Sequence, residues 1–147
     1  MILSPPTLED RLAIQDLLVG YCIAVDDHDW LRFASLFIEQ AVLDFSAFGG
    51  PRCTPPQMVE YLRGVAAALH GWQHTISTVE LRSEGPERVR ARTAAQVFLT
   101  SKSGSDGPGQ VSFVGLWYRD LLVRTSQGWL IAERVQQFAW VHNTPQG

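Results

Sequence analysis

The sequence predicts an α+β fold in which N-terminal helices pack on a curved, mostly antiparallel sheet and enclose a pocket. Three observations predict it. Apolar residues recur at helical spacing through the first part of the chain, β-branched and aromatic residues gather into four long runs from Gln73 onward, and short turn-rich segments join those runs. Helices followed by an antiparallel meander bury their apolar faces on each other, with the helices on one sheet face and room for a cavity between.

Thr7 followed by Asp10 resembles a capping box, and Leu8, Leu12, Ile14, Leu17, Leu18, Tyr21, Cys22 and Val25 keep a helical period, so the first helix is predicted over Leu8 to Val25. Asp29 caps a short second helix through Leu36, with Trp30, Phe33, Ala34 and Phe37 on its apolar side; the two helices form a hairpin. A brief apolar strand is expected from Val42 to Phe45. The turn-rich SAFGGPRCTPP then leads to Thr54 and Pro55, an N-cap and N1 proline for a third helix ending near His70, before Gly71.

The four strands are predicted at about Gln73 to Arg82, Arg88 to Ser101, Gln110 to Thr125 and Gly128 to Ala139. SEGPE and RTSQG are short turns, whereas SKSGSDGPGQ is a longer polar hairpin tip expected to move. The chain reads as one domain, 1–147, without repeats or a linker.

With 46% hydrophobic residues and 18% charged, the chain can fill one core, while a net charge of −3 with scattered Lys and Arg argues against nucleic-acid binding. Cys22 and Cys53 are too few for a disulfide framework and lack CxxC spacing. Together with an N-terminus lacking a basic, then apolar leader, they lead us to expect a cytoplasmic protein that does not meet a membrane. His142 has no partner at metal-ligand spacing, His70 and His74 stand four apart only across the predicted end of the third helix, and no HExxH, GxGxxG, GxxxxGK or GxSxG motif occurs. No metal or cofactor is expected, and neither nucleotide-dependent nor serine-nucleophile chemistry has support.

The candidate site centres on YCIAVDDHDW and GWQHTISTVEL. Tyr21 and Asp26 are separated by five residues, roughly 140° apart at ~100° per residue, so both reach one cavity only where the helix is ending. A carboxylate in an apolar pocket orients an imidazole and fixes one ring nitrogen as N–H, freeing the other to accept a proton; Asp26 and His74 are the candidate dyad. Taken singly, Asp26 reads as a helix-end acid and His74 as a strand histidine satisfied by backbone. The combination brings the catalytic reading into contention.

The order of elements, YxxxxDxxDW, a His at the start of the first long strand, and the late segments GLWYRD and GWLIAER resemble the SnoaL-like branch of the NTF2-like superfamily. That branch includes scytalone dehydratase, bile-acid dehydratase and hexachlorocyclohexane dehydrochlorinase. The resemblance covers almost the whole chain and implies a cone-shaped α+β barrel. It carries an Asp–His pair that removes a proton from carbon onto Asp26 and His74, and a phenol that polarises a substrate oxygen onto Tyr21. It also places at Arg134 an arginine that stabilises a developing anion; a sheet arginine paired with Glu133 or Asp120 is the alternative there. Relatives often carry HxxxN where this chain has HTIST, so Thr78 stands at the Asn position.

Trp117 shares a strand face with Phe113, Gly115 and Arg119, and Tyr118 shares the other with Val114, Leu116 and Asp120; one of these two aromatics is expected to line the cavity. Phe113, Trp117, Tyr118, Thr78 and Trp30 are the candidate substrate contacts, suited to a flat or polycyclic hydrophobic molecule.

The leading expectation is a cofactor-independent lyase or isomerase, dehydratase-type, acting on a small hydrophobic, cyclic or polyketide-like substrate, with His74 as base and Tyr21 or Arg134 as electrophile. An aldol-type polyketide cyclase would share its first step, and a noncatalytic ligand carrier or oligomerising domain is the reading from another class. An epoxide hydrolase is less favoured, since no second acid can be placed. Relatives assemble through the outer sheet face, where Val111, Leu121 and Trp140 are candidates, so a homodimer or homotrimer is expected.

Overall fold

The computed structural model describes residues 6–103 and 108–144. Helices α1 (Leu8–Asp26) and α2 (Trp30–Ser35) are followed by β1 (Phe37–Asp44), a single 3₁₀ turn, β2 (Arg52–Cys53) and α3 (Pro55–Ala68). Four long strands complete the fold: β3 (Leu69–Ser83), β4 (Arg88–Lys102), β5 (Pro108–Thr125) and β6 (Gly128–His142). They form one six-stranded sheet in the order β2-β1-β6-β5-β4-β3. The architecture is the expected α+β one, an open curved sheet with helices on one face.

Helix α1 starts where the sequence places it. The Thr7 side chain accepts from the Asp10 backbone N–H at 3.1 Å, and Ile14, Leu17, Leu18, Tyr21, Cys22, Ala24 and Val25 are buried. Thr54 and Gln57 make a reciprocal capping box on α3 ahead of its buried face of Met58, Val59 and Leu62. The helix stops two residues short of the expected His70. Leu69 is already extended and pairs with Ser101, while Lys102 Nζ donates to the Ala67 carbonyl at 2.6 Å, satisfying an end carbonyl that the helix cannot.

Strand β1 is longer than the expected Val42 to Phe45 because Phe37 to Ala41 also join the sheet. Polar Glu39 and Gln40 hide that segment from a hydrophobicity pattern. β1 runs parallel to β6, from Phe37 opposite Ile131 to Asp44 opposite Val135, and this pairing extends the sheet beyond the meander. The four long strands pair antiparallel in sequence order, as expected. Residues 104–107 of the SKSGSDGPGQ tip and 145–147 of VHNTPQG lie outside the described residues.

The inner, helix-covered face carries Val89, Ala91, Thr93, Ala95 and Val97 of β4 together with Leu116, Tyr118 and Leu122 of β5, all buried. The opposite face holds Phe113, Trp117 and Trp140. Trp140 packs so closely over Gly115 that a Cβ there would collide with the indole, which is why this strand position is glycine.

Candidate active site

Helix α1 ends one turn after Tyr21, in a Schellman arrangement. His28 N–H donates to Val25 O at 3.1 Å and Asp29 N–H to Ala24 O at 2.8 Å. His28 takes the left-handed conformation, φ 55°, that such an ending requires and that glycine usually supplies. Its ring stacks on Trp30 and meets Trp72 edge-on, contacts that hold it there.

The exposed edge of the sheet, β3, grips this helix end. Trp72 Nε1 donates to Val25 O at 3.2 Å, and the His74 backbone N–H donates to both Asp26 oxygens, at 3.0 and 3.1 Å. A carboxylate at a helix C-terminus faces the negative end of the dipole, an unfavourable place that these donors offset. The same carboxylate lies 2.7 Å from His74 Nδ1, with the two side chains 23% and 10% exposed. An ionised carboxylate can only accept, so Nδ1 carries the proton and Nε2 of the neutral ring is the acceptor.

His74 lines an apolar cavity of about 200 Å³. Val97, Leu99, Val114 and Leu116 make its floor on β4 and β5. Tyr61, Leu62 and Val65 of α3 cover it, and Phe45, Phe48 and Gly50 come from the segment after β1. Trp72 and Gln136 complete the wall. Several of these were not singled out by sequence reasoning. Phe45 and Phe48 flank a turn with no periodicity to orient them. Gln136 carried a readable signal: it is two residues from Arg134 on β6, hence on the same face, and a polar residue at an inward position of a buried strand is out of pattern.

Tyr21 and Arg134 come together elsewhere in the core, off the cavity wall. Arg134, 1% exposed, makes a bidentate pair with Asp120, Nε to Oδ1 at 2.8 Å and Nη2 to Oδ2 at 2.9 Å; the guanidinium lies 4.2 Å from the Tyr21 ring centre and 3.9 Å from that of Tyr118. Burial pushes the Tyr21 phenol up to about 12 and Tyr118 well above its ordinary value, so both phenols stay protonated; Cys22 beside them rises to about 11 for the same reason. Burial works against the charge on Arg134, but the Asp120 carboxylate overrides it and raises the pKa above its usual value. Arg134 Nη1, the Tyr118 hydroxyl and Thr93 Oγ1 are buried and make no hydrogen bond among the described residues.

The remaining candidates are dispersed. Tyr118, not Trp117, is the aromatic of its pair on the inner face; Trp117 lies on the outer face under the Arg92 guanidinium at 3.8 Å, and Phe113 packs there on Phe98. Thr78 is exposed at an irregularity in the β3–β4 register, and Trp30 is half-buried against His28 and Phe33. Among the described residues no group of three or more His, Cys, Asp or Glu side chains is placed to hold a metal ion, and no helix is long and apolar enough to cross a membrane.

Comparison with known proteins adds three kinds of likeness. The SnoaL-like domain family matches residues 6–135. An uncharacterized protein of Mycobacterium tuberculosis is 33% identical over 138 residues, 92% of this chain and 89% of that protein. Among solved structures, a Novosphingobium aromaticivorans protein provisionally assigned as an aromatic ring hydroxylase superimposes with a TM-score of 0.84 at 25% identity, covering 95% of this chain and 96% of the other. A second protein of that organism, provisionally assigned as a scytalone dehydratase, gives 0.82 at 15% identity over 95% and 91% of the two chains. A hexachlorocyclohexane dehydrochlorinase gives 0.81 at 18% identity over 94% and 90%.

Proposed function

The chain belongs to the SnoaL-like domain family, whose fold it shares with dehydratases and dehydrochlorinases, and from that premise we propose that it is a cofactor-independent lyase or isomerase that begins by removing a proton from carbon. The observation that carries this reading is the 2.7 Å contact between Asp26 and His74 Nδ1 on the wall of an apolar cavity. His74 Nε2 is the base, and Asp26 fixes the tautomer and ring orientation and stabilises the imidazolium that forms. An apolar surrounding strengthens that stabilisation because little water competes.

The cavity limits the substrate. At about 200 Å³ it lies below the roughly 300–1,000 Å³ of sites for drug-sized ligands, so a molecule of one or two fused rings fits better than a large polycycle. The likeness to structures named as a dehydratase and a dehydrochlorinase supports elimination of a leaving group as the step after deprotonation.

The test uses 5-nitrobenzisoxazole, a flat carbon acid that opens to a coloured phenolate when a base takes its C–H proton. The wild-type protein should open it with saturation. His74→Ala should reduce turnover by about 10²- to 10⁴-fold, the usual worth of a positioned base. Equal rates for wild type and His74→Ala would reject His74 as the base and leave a binding domain as the better reading.

A further inference from the structure

Proton abstraction beside a carbonyl places negative charge on oxygen, and a cavity that accelerates it offers a donor at that oxygen. Neither Tyr21 nor Arg134 lines the cavity. Its polar side chains are those of Tyr61, Trp72, His74 and Gln136. Trp72 spends its indole N–H on Val25 O. Tyr61 is 37% exposed. The Gln136 carboxamide is the side-chain amide on this wall among the described residues.

We infer that Gln136 is a catalytic residue: its side-chain N–H holds the substrate's carbonyl oxygen and stabilises the enolate formed when His74 removes the neighbouring proton, making the substrate a small neutral ketone. The inference rests on the proposed role of His74. Three observations support it. Gln136 makes no hydrogen bond to any described residue, and its amide is not among the buried groups left without a partner, so it is open to the cavity. His74 on β3 and Gln136 on β6 both line this one cavity, whose floor comes from the two strands between them, so a molecule bound there is within the same enclosure as both. Finally, among the described residues no Lys, Arg, Asp or Glu lines the cavity. A carboxylate or phosphate would lose its hydration there with no counter-charge, which favours a neutral carbonyl compound.

The step balances within the site. His74 Nε2 takes the α-proton, the C–H electron pair moves into the carbonyl to give an enolate, and Gln136 N–H donates to the oxygen that gains the charge. Return of a proton to carbon regenerates the ketone. In D₂O the imidazolium N–H exchanges with solvent before a proton goes back, so a deuteron reaches carbon and turnover is read as deuterium incorporation.

The experiment follows deuterium uptake into 2-indanone by proton NMR alongside ring opening of 5-nitrobenzisoxazole, whose charge spreads into a nitrophenolate and demands little of a hydrogen-bond donor. Gln136→Met keeps the side chain's bulk without a donor, and Gln136→Glu keeps its shape but sets a carboxylate against the enolate. Both should lower kcat for indanone exchange by at least about tenfold more than they lower ring opening, toward the 10²- to 10³-fold typical of losing one oxyanion donor. Parallel losses on both probes, no loss on indanone, or a wild type that opens the benzisoxazole without exchanging indanone would each overturn the role of Gln136 while His74 stands. A wild type no better than His74→Ala on either probe would overturn both.

Discussion

At the scale of single residues, Asp26 performs two separable tasks. It accepts the His74 backbone N–H, which docks a helix end on a strand edge, and it orients the His74 ring. Asp26→Asn keeps an oxygen for the first task but loses the charge needed for the second. It should therefore unfold near the wild-type denaturant midpoint while turnover of 5-nitrobenzisoxazole falls about 10²-fold or more; near-normal turnover would remove Asp26 from the mechanism. Asp26→Ala should add a stability loss of about 1–2 kcal/mol in urea unfolding. The Arg134–Asp120 pair is the contrasting case. Arg134→Met or Asp120→Ala leaves a buried charge alone and should cost about 3–5 kcal/mol, whereas replacing both by apolar residues should recover most of that loss. A double variant as unstable as either single one would show that the pair does more than neutralise itself.

At the scale of elements, α1 is anchored at both ends, and its first turn makes the fold sensitive to acid. Asp10 accepts from Trp129 Nε1 at 3.1 Å and from Arg124 Nη2 at 2.9 Å, tying the helix start to β5 and β6. The Trp129 hydrogen bond, then those from Thr7 and Arg124, hold its carboxyl below the ordinary value of 3.8. Because the folded-state pKa is the lower one, the stabilisation is complete above the ordinary value and is lost as the pH falls below it toward the folded one. Asp10→Asn should lower the melting temperature at neutral pH, and this deficit should shrink in acid as wild-type Asp10 takes up its proton. A deficit that stays constant across the pH range would place the effect in packing instead of charge.

At the scale of the whole molecule, the helix-free sheet face exposes Val111 and Trp140, 41% and 43% accessible, whereas Leu121 is buried within the chain. If the expected homodimer or homotrimer forms through this face, sedimentation at rising concentration should report it, and Trp140→Lys should shift the species to monomer without lowering ring opening. Persistence of the oligomer in that variant would move the interface elsewhere.

The helix starts and the antiparallel meander were legible because each depends on local chemistry. Thr7, Asp29 and Thr54 cap at fixed offsets, and the β-rich runs announce themselves by composition. The Asp26 and His74 pairing was expected from the two residues together with the resemblance to the SnoaL-like branch; His74, expected at a strand start, lies inside β3, which begins at Leu69. What only the tertiary structure decided involves residues distant in sequence: β1 beside β6, Arg134 on Asp120 under two tyrosines, and a cavity walled by Phe45, Tyr61 and Gln136. The sequence names the face of a strand but not which curved layer that face meets. Burial of the whole sheet, not the pattern of any one segment, therefore determined that His74 meets the cavity while Tyr21 and Arg134 lie behind it.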